Sequence, residues 1–199
     1  MRSIVERLLR NPGIGSMVAH RRRVEGRAAR FADPAAPLPP ELRDALASKG
    51  IARLWEHQAR ALDAARSGED VLTVTPTASG KTLVFALPVL ETALSDPGAR
   101  ALFLYPTKAL ARDQVAALSE LAAATGRLRP PRFEIYDGDT PDRLRRKIKA
   151  DPPDVLVTNP DMLHLGILAH HSEWRGFLGG LRWVVLDEMH VYRGLFGAH

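Results

Sequence analysis

Two short stretches carry residue types that could do phosphate chemistry. Thr75-Pro76-Thr77-Ala78-Ser79-Gly80-Lys81-Thr82 ends in Gly-Lys-Thr, and Val184-Val185-Leu186-Asp187-Glu188 is an apolar run ending in two acids. In the first, backbone N–H groups of a loop of small residues can converge on an anion, and Gly80 lets the chain approach it closely. Lys81 adds a positive charge for the β- and γ-phosphates, and the Thr82 hydroxyl can ligate Mg²⁺. In the second, Asp187 can hold Mg²⁺ opposite Thr82, and Glu188 can orient or deprotonate an attacking water. The competing readings are an ordinary turn for the first stretch and helix caps or ion-pair partners for the two acids. The strict phosphate-loop pattern also begins with Gly, where this chain has Thr75.

The flanking elements favour the chemical reading. Asp70-Val71-Leu72-Thr73-Val74 reads as a strand and Leu83 to Glu91 as a helix, so the loop lies between strand and helix. Upstream, Glu41 to Lys49 is a short helix stopped by Gly50, and a second helix opens at Leu54-Trp55-Glu56-His57-Gln58. Gln58 offers a donor and an acceptor together, which suits an adenine edge. Downstream, apolar strands are predicted at 100–105, 132–136, 154–158 and 182–187, each followed by a turn or a helix start. Thr107 is expected to cap one helix, Thr140-Pro141 to start a basic helix to Lys149, and Asn159-Pro160-Asp161 to start another through Leu163 and Leu168. Five strands separated by helices imply an α/β fold, a parallel sheet with helices on both faces. Ligands of such sheets sit at the carboxyl ends of the strands. The P-loop, Pro106-Thr107-Lys108, Asp137-Gly138-Asp139, Thr158-Asn159-Pro160 and Asp187-Glu188 all fall there.

The chain has 199 residues and a formal charge of +5, enough for one α/β domain with a bias toward polyanionic partners. The basic excess is clustered at His20 to Arg23 with Arg27 and Arg30, and at Arg143, Arg145, Arg146, Lys147 and Lys149. For the first cluster, nucleic-acid contact and a solvated arm are both open. Helical spacing at Ile4, Val5, Leu8 and Leu9 ends at Asn11-Pro12-Gly13. The segment 33–40 holds four prolines. It reads as a linker between a basic extension, residues 1–40, and a domain at 41–199. Cysteine is absent, which removes disulfides, thiolate metal sites and cysteine nucleophiles. No apolar run approaches the ~18–20 residues of a membrane span, and no secretory signal is seen at Met1 to Arg10. A cytoplasmic location and no membrane partner are the expectation.

His190 lies two residues beyond Glu188 and could couple nucleotide state to neighbouring segments, although a lone His is more often structural. His164, His170, His171 and His199 lack metal-pair spacing. Trp174 and Trp183 read as core.

Taken together, the motifs resemble superfamily 2 helicases. Glu56-His57-Gln58 resembles the Q motif. Thr75 to Thr82 resembles motif I, in which Thr75 is a familiar first residue. Tyr105 to Gln114 resembles motif Ia, Tyr136 to Thr140 motif Ib, and Thr158 to Leu163 the next nucleic-acid motif. Asp187-Glu188-Met189-His190 resembles motif II in its DExH form, whereas DEAD-box RNA helicases carry Asp-Glu-Ala-Asp. With Tyr192-Arg193-Gly194-Leu195-Phe196-Gly197 behind it, this resembles bacterial DNA-repair helicases of the mitomycin-repair-factor type.

That resemblance covers roughly residues 38–199. It implies a RecA-like P-loop NTPase fold, ATP and Mg²⁺ as cofactors, and 3′-to-5′ translocation on single-stranded DNA. It implies an ATP site of Gln58, Thr75, Pro76, Thr77, Ala78, Ser79, Gly80, Lys81 and Thr82, and coupling through His190. It also implies that Pro106, Thr107, Lys108, Arg112, Gly138, Asp139, Thr158 and Asn159 lie near a strand backbone. Phosphate contacts of that kind give affinity without sequence preference.

The chain stops just after motif II. An incomplete domain is therefore expected, without motif III, a second RecA-like domain, an arginine finger or a zinc region. An arginine finger contributes ~10³–10⁵ in rate, so the isolated chain is expected to be nearly inactive. The strand leading to motif III should lie between the P-loop and motif II strands. A gap between them, and poor solubility, are expected. An RNA helicase domain and a non-catalytic nucleic-acid-binding protein with a vestigial nucleotide site are the alternatives.

Overall fold

The computed structural model describes residues 4–20, 22, 28–75 and 79–194. The chain divides into two units, Met1–Arg30 and Phe31–His199. In the first, α1 (Ile4–Leu9) is followed by the single turn α2 (Pro12–Gly15). Asn11 caps α2 by accepting the Gly13 N–H, so the Asn-Pro-Gly break starts a new turn as well as ending the old one. Arg21, Arg23 and Arg27 of the basic cluster lie outside the described residues.

The second unit is built on four parallel strands, β1 (Arg100–Leu104), β2 (Phe133–Ile135), β3 (Val155–Thr158) and β4 (Leu181–Leu186), in the order β2-β3-β1-β4. The first three fall inside the predicted apolar runs, and β4 begins one residue before its predicted start at 182. Helices α3 (Pro40–Ser48), α4 (Glu56–Arg66), α5 (Lys81–Ser95) and α6 (Lys108–Ala123) cover one face. Their apolar sides meet Ala101, Phe103, Tyr105, Val155 and Val157. On the other face, α7 (Asp142–Ala150) and the segment running through α8 (Pro160–Met162) to α9 (Arg175–Leu178) pack Ile148, Ile167, Trp174 and Phe177 on Leu102, Leu104 and Leu156. The period-two alternation of β1 and β3 therefore feeds two cores.

Three expectations need correction. Among the described residues, Asp70 to Val74 pairs with no strand, and the sheet has four strands where five were expected. Its apolar side chains face outward, with Leu72 72% and Val74 87% exposed. A β-branched run becomes a strand only when a neighbour completes its ladder, and a cleft of about 580 Å³ separates this segment from β4. Val71 and Leu72 line one side of that cleft and Val184 and Leu186 the other, so the expected gap is present. Second, α7 begins one residue later than predicted. Thr140 does not cap it, because its hydroxyl accepts the Asp137 N–H and so closes the preceding loop. Third, the helix after Asn159 is broken. The cap is present, since Asn159 Oδ1 accepts the Met162 N–H, but the backbone passes through a π turn (Leu163–Ile167) and a 3₁₀ turn (Leu168–His170).

The proline-rich segment runs along the second unit. Asp63 accepts the Ala35 N–H, and the Arg66 guanidinium donates to the Ala36 and Pro37 carbonyls while paired with Glu91 at 2.7 Å. That arginine ties the segment to both α4 and α5.

Candidate nucleotide and nucleic-acid sites

Lys81, Asp187 and Glu188, among the described candidates for a nucleotide site, line one cleft at the carboxyl end of β4. Gly80 precedes α5 with φ 72°, a left-handed conformation that glycine adopts without strain. A Cβ there would sit 2.6 Å from Gln58 Nε2. Gln58 is the reason for that crowding. It is 1% exposed, its Oε1 accepts the Trp55 N–H at 2.9 Å, and its Nε2 donates to the Gly80 carbonyl at 2.9 Å. Both ends of the carboxamide that suited an adenine edge are thus engaged within the protein. The side chain fixes the last loop residue before Lys81. Thr75 and Ser79 hydroxyls lie 2.6 Å apart, bracing the loop across its base. Pro76, Thr77 and Ala78 lie outside the described residues. Thr82 Oγ1 donates to Gln114 Oε1 at 3.2 Å, joining the start of α5 to α6.

Opposite Lys81, Asp187 and Glu188 follow β4 and line the same cleft. The Asp187 N–H donates to the Leu104 carbonyl, which extends the β1–β4 ladder by one residue. Its Oδ1 accepts the Glu188 N–H at 2.9 Å. Burial raises the Asp187 carboxyl above its ordinary value. The Glu188 charge adds to that rise, while the Glu188 N–H and Lys81 oppose it. Glu188 has φ 52°, the one non-glycine residue in the left-handed region among those described. Such strain costs about 1–3 kcal/mol and turns the chain sharply after the strand. Glu188 Oε2 lies 3.2 Å from His190 Nδ1, so these two predicted residues do meet. Tyr192 Oη donates to the Leu104 carbonyl, and burial pushes its hydroxyl up to about 12. Leu195 to His199, the end of the expected Tyr-Arg-Gly-x-Phe-Gly signature, lie outside the described residues.

The strand-binding candidates occupy the other part of the same edge, beyond β1, β3 and β2. Pro106 and Thr107 follow β1, and Thr107 Oγ1 accepts the Leu110 N–H, so it caps α6 as expected. Lys108 and Arg112 on α6 both reach Asp139 beyond β2, at 2.6 and 3.5 Å. Gly138 is exposed beside them, with Lys108 Nζ 4.0 Å from where a Cβ would stand. Thr158 is buried and its hydroxyl donates to the Tyr136 carbonyl at 2.6 Å, so its side chain joins β3 to β2. Asn159 turns its Oδ1 to its own helix.

Sequence reasoning missed the residue that shapes this edge. Arg145 donates through Nε to the Thr140 carbonyl and through Nη2 to the Asp137 carbonyl, and stacks its guanidinium 5.2 Å from the Tyr136 ring centroid. It clamps the 137–140 loop. In the sequence it is one cation among five on a basic helix. Also missed were Phe31 and Trp55, whose rings pair at 5.1 Å at the start of α4, with Arg53 over Phe31. Both rings are partly exposed near Gln58. Isolated aromatics 24 residues apart carry no periodic signal.

Residues 55–199 match the DEAD/DEAH box helicase family. The uncharacterized ATP-dependent helicase YprA of Bacillus subtilis is 42% identical over 180 residues, 88% of this chain and 23% of that protein. The ATP-dependent helicase HRQ1 of Saccharomyces cerevisiae is 35% identical over 98% of this chain and 18% of its own length. A crystal structure of the DUF1998 helicase MrfA bound to DNA and AMPPNP superposes with a TM-score of 0.82 at 42% identity, covering 87% of this chain and 24% of that one. The chain thus spans about a quarter or less of the length of these relatives.

Proposed function

This chain belongs to the DEAD/DEAH box helicase family, and on that premise we propose that it is the ATP-binding and strand-binding first RecA-like domain of an ATP-dependent DNA helicase. The observation that carries this reading is the cleft where Lys81, at the start of α5, faces Asp187 and Glu188 at the end of β4. Lys81 would hold the β- and γ-phosphates at the amino end of α5, where the helix dipole also favours an anion. Thr82 and Asp187 would hold Mg²⁺. One hydroxyl and one carboxylate suit that ion, which takes few protein ligands and shares the rest with phosphates and water. The ion would neutralise charge on the phosphates.

Glu188 would orient or deprotonate the attacking water, and His190, in contact with it, would couple it to neighbouring segments. Thr75, Pro76, Thr77, Ala78, Ser79 and Gly80 would cradle the phosphates. Gln58 would serve the site by holding Gly80, and the Phe31 and Trp55 rings offer an apolar surface for a purine. Lys108 and Arg112 would take strand phosphates, with Thr107, Gly138 and Asn159 shaping the path. Single-stranded DNA is preferred over RNA because of the Asp-Glu-x-His form and the DNA-bound MrfA structure. DNA repair, 3′-to-5′ movement and a cytoplasmic location belong to the same reading. So does the division into an extension, 1–40, and a catalytic domain, 41–199. Among the described residues no helix is long and apolar enough to cross a membrane.

Titration with a fluorescent ATP analogue in the presence of Mg²⁺ tests the reading. Lys81→Ala should weaken binding about 10–100-fold, the worth of a lost charge-assisted contact, while Glu188→Gln should leave binding within about threefold. Equal binding by the parent chain and Lys81→Ala would leave the site vestigial. Tighter capture of oligouridylate than of oligothymidylate would replace DNA by RNA.

A further inference from the structure

Of the residues assigned to the strand path, Asp139 has the wrong charge for a phosphate. Its carboxylate nevertheless stands at the centre of the basic residues there. Oδ1 takes Lys108 Nζ at 2.6 Å and Oδ2 takes Arg112 Nη2 at 3.5 Å. A backbone phosphodiester is also a monoanion with two unesterified oxygens, and it would approach the same two cations. We propose that Asp139 is an internal counter-anion of the strand-binding surface, occupying in the free chain the cations that a strand phosphate takes, so that binding must displace it. This rests on the strand-binding reading above and assigns Asp139 a part opposite to that of a direct contact.

The surroundings hold the competitor in place. The Asp139 N–H donates to Asp137 Oδ1, the Asp137 N–H to Thr140 Oγ1, and Arg145 grips the Asp137 and Thr140 carbonyls. The loop therefore keeps Asp139 beside the two cations in the free chain. The pair is also displaceable. Lys108, Asp139 and Arg112 side chains are 46%, 57% and 62% exposed, and ion pairs in such settings are weakly held. The hydrogen bond and charge of Lys108, with a smaller part from Arg112, keep the Asp139 carboxyl below its ordinary range, so it is ionised at neutral pH. The local charge is then +1 with Asp139 and +2 without it, by counting one carboxylate against two cations. A lower charge means fewer counterions released by a bound strand, lower affinity and easier release. Easy release suits a domain that must let go of a strand at each step.

Fluorescence anisotropy of labelled oligothymidylate with the 199-residue chain tests this. Asp139→Asn keeps the side-chain size, and no backbone N–H depends on the carboxylate in the contacts described, so its melting temperature should match that of the parent. It should bind about 3–10-fold tighter at low salt, with a salt slope steeper by up to about 0.7. In the Lys108→Ala/Arg112→Ala background the same change should move affinity less than about twofold. If Lys108→Ala weakens binding but Asp139→Asn leaves it unchanged or weaker, Asp139 is not a competitor and the proposal falls alone. If neither Lys108→Ala nor Asp139→Asn alters binding, the strand does not pass here. The strand-binding reading then falls with the proposal.

Discussion

Along β3 every residue is buried and both neighbouring strands are paired, whereas along β4 alternate residues face solvent and the outer edge has no ladder among the described residues. The first region joins two cores through one sheet. The second presents Val184 and Leu186 to a cleft also lined by Asp70 to Thr73. The candidate site residues divide accordingly. Lys81, Asp187 and Glu188 line the open side, and the basic strand-binding candidates crown the closed side. The packed core and the proposed nucleotide site therefore lie on different parts of one sheet, and the proposed site lies on the less covered part.

The largest expected effect breaks this comparison directly. Phe103 in β1 is fully buried and meets the Phe85 and Tyr105 rings edge-on at 5.4 and 6.4 Å. Phe103→Ala should cost about 3–5 kcal/mol. Val184→Ala in β4 should cost less than about 0.5 kcal/mol, because half of that side chain already faces water. Urea denaturation of both variants measures the contrast. A Val184→Ala cost near that of Phe103→Ala would mean that the cleft closes in solution and that the two regions are equally packed.

The difference between the regions also explains what could be read from the sequence. Residues 100–104 and 155–158 are apolar runs bounded by turn residues, and they form strands because neighbours complete their ladders. Asp70–Val74 has the same local pattern and no ladder partner among the described residues, and nothing in five residues reports whether a neighbour is there. The Gly80-Lys81-Thr82 turn and the acids at 187 and 188 stand out in the sequence because phosphate chemistry would use those types at strand ends, and the fold brings Lys81, Asp187 and Glu188 to one cleft. What Gln58 does was not, since its contact with the Gly80 carbonyl joins residues 22 apart through the fold. The part played by Arg145 was hidden among similar cations, and Asp139, already a strand-path candidate, gave no sign in the sequence of its partners on α6. Thr140 was misassigned by one residue because a hydroxyl can serve a turn or a helix end with equal chemistry.

A smaller effect sharpens the assignment of the open side to chemistry. Burial raises the Asp187 carboxyl in the folded chain, so ionising it costs the folded state. That penalty is absent below the ordinary carboxylate value and grows as the pH rises through the raised one. Asp187→Asn should therefore be more stable than the parent near neutral pH, by up to about 1 kcal/mol after allowing for solvent screening. The gain should vanish in acid, below about pH 3. The same variant should lose Mg²⁺-dependent nucleotide binding. Urea denaturation across that pH range reads the first effect and nucleotide titration the second. Lower stability at neutral pH would show that the hydrogen bond from the Glu188 N–H outweighs burial, and Asp187 would then belong with the structural residues.

Tyr105 lies where the two regions join, and it tests the boundary most finely. Its N–H donates to the Thr158 carbonyl on the closed side, while the next rung on the other side is the Asp187 N–H to the Leu104 carbonyl. The side chain is 1% exposed and its hydroxyl has no hydrogen-bond partner among the described residues. Burial and the nearby Asp187 charge raise that hydroxyl well above its ordinary value, so it stays neutral. A buried hydroxyl without a partner carries its desolvation cost uncompensated, about 1–3 kcal/mol. Removing it leaves the ring packing on Phe103 intact. Tyr105→Phe should therefore be neutral or stabilising by about 1 kcal/mol in urea denaturation. A loss of similar size would mean that the hydroxyl is hydrogen-bonded in solution. The partner would then have to come from the open side, since the core around Phe103 is apolar and already filled, and the boundary between the two regions would move to include Tyr105 in the nucleotide site.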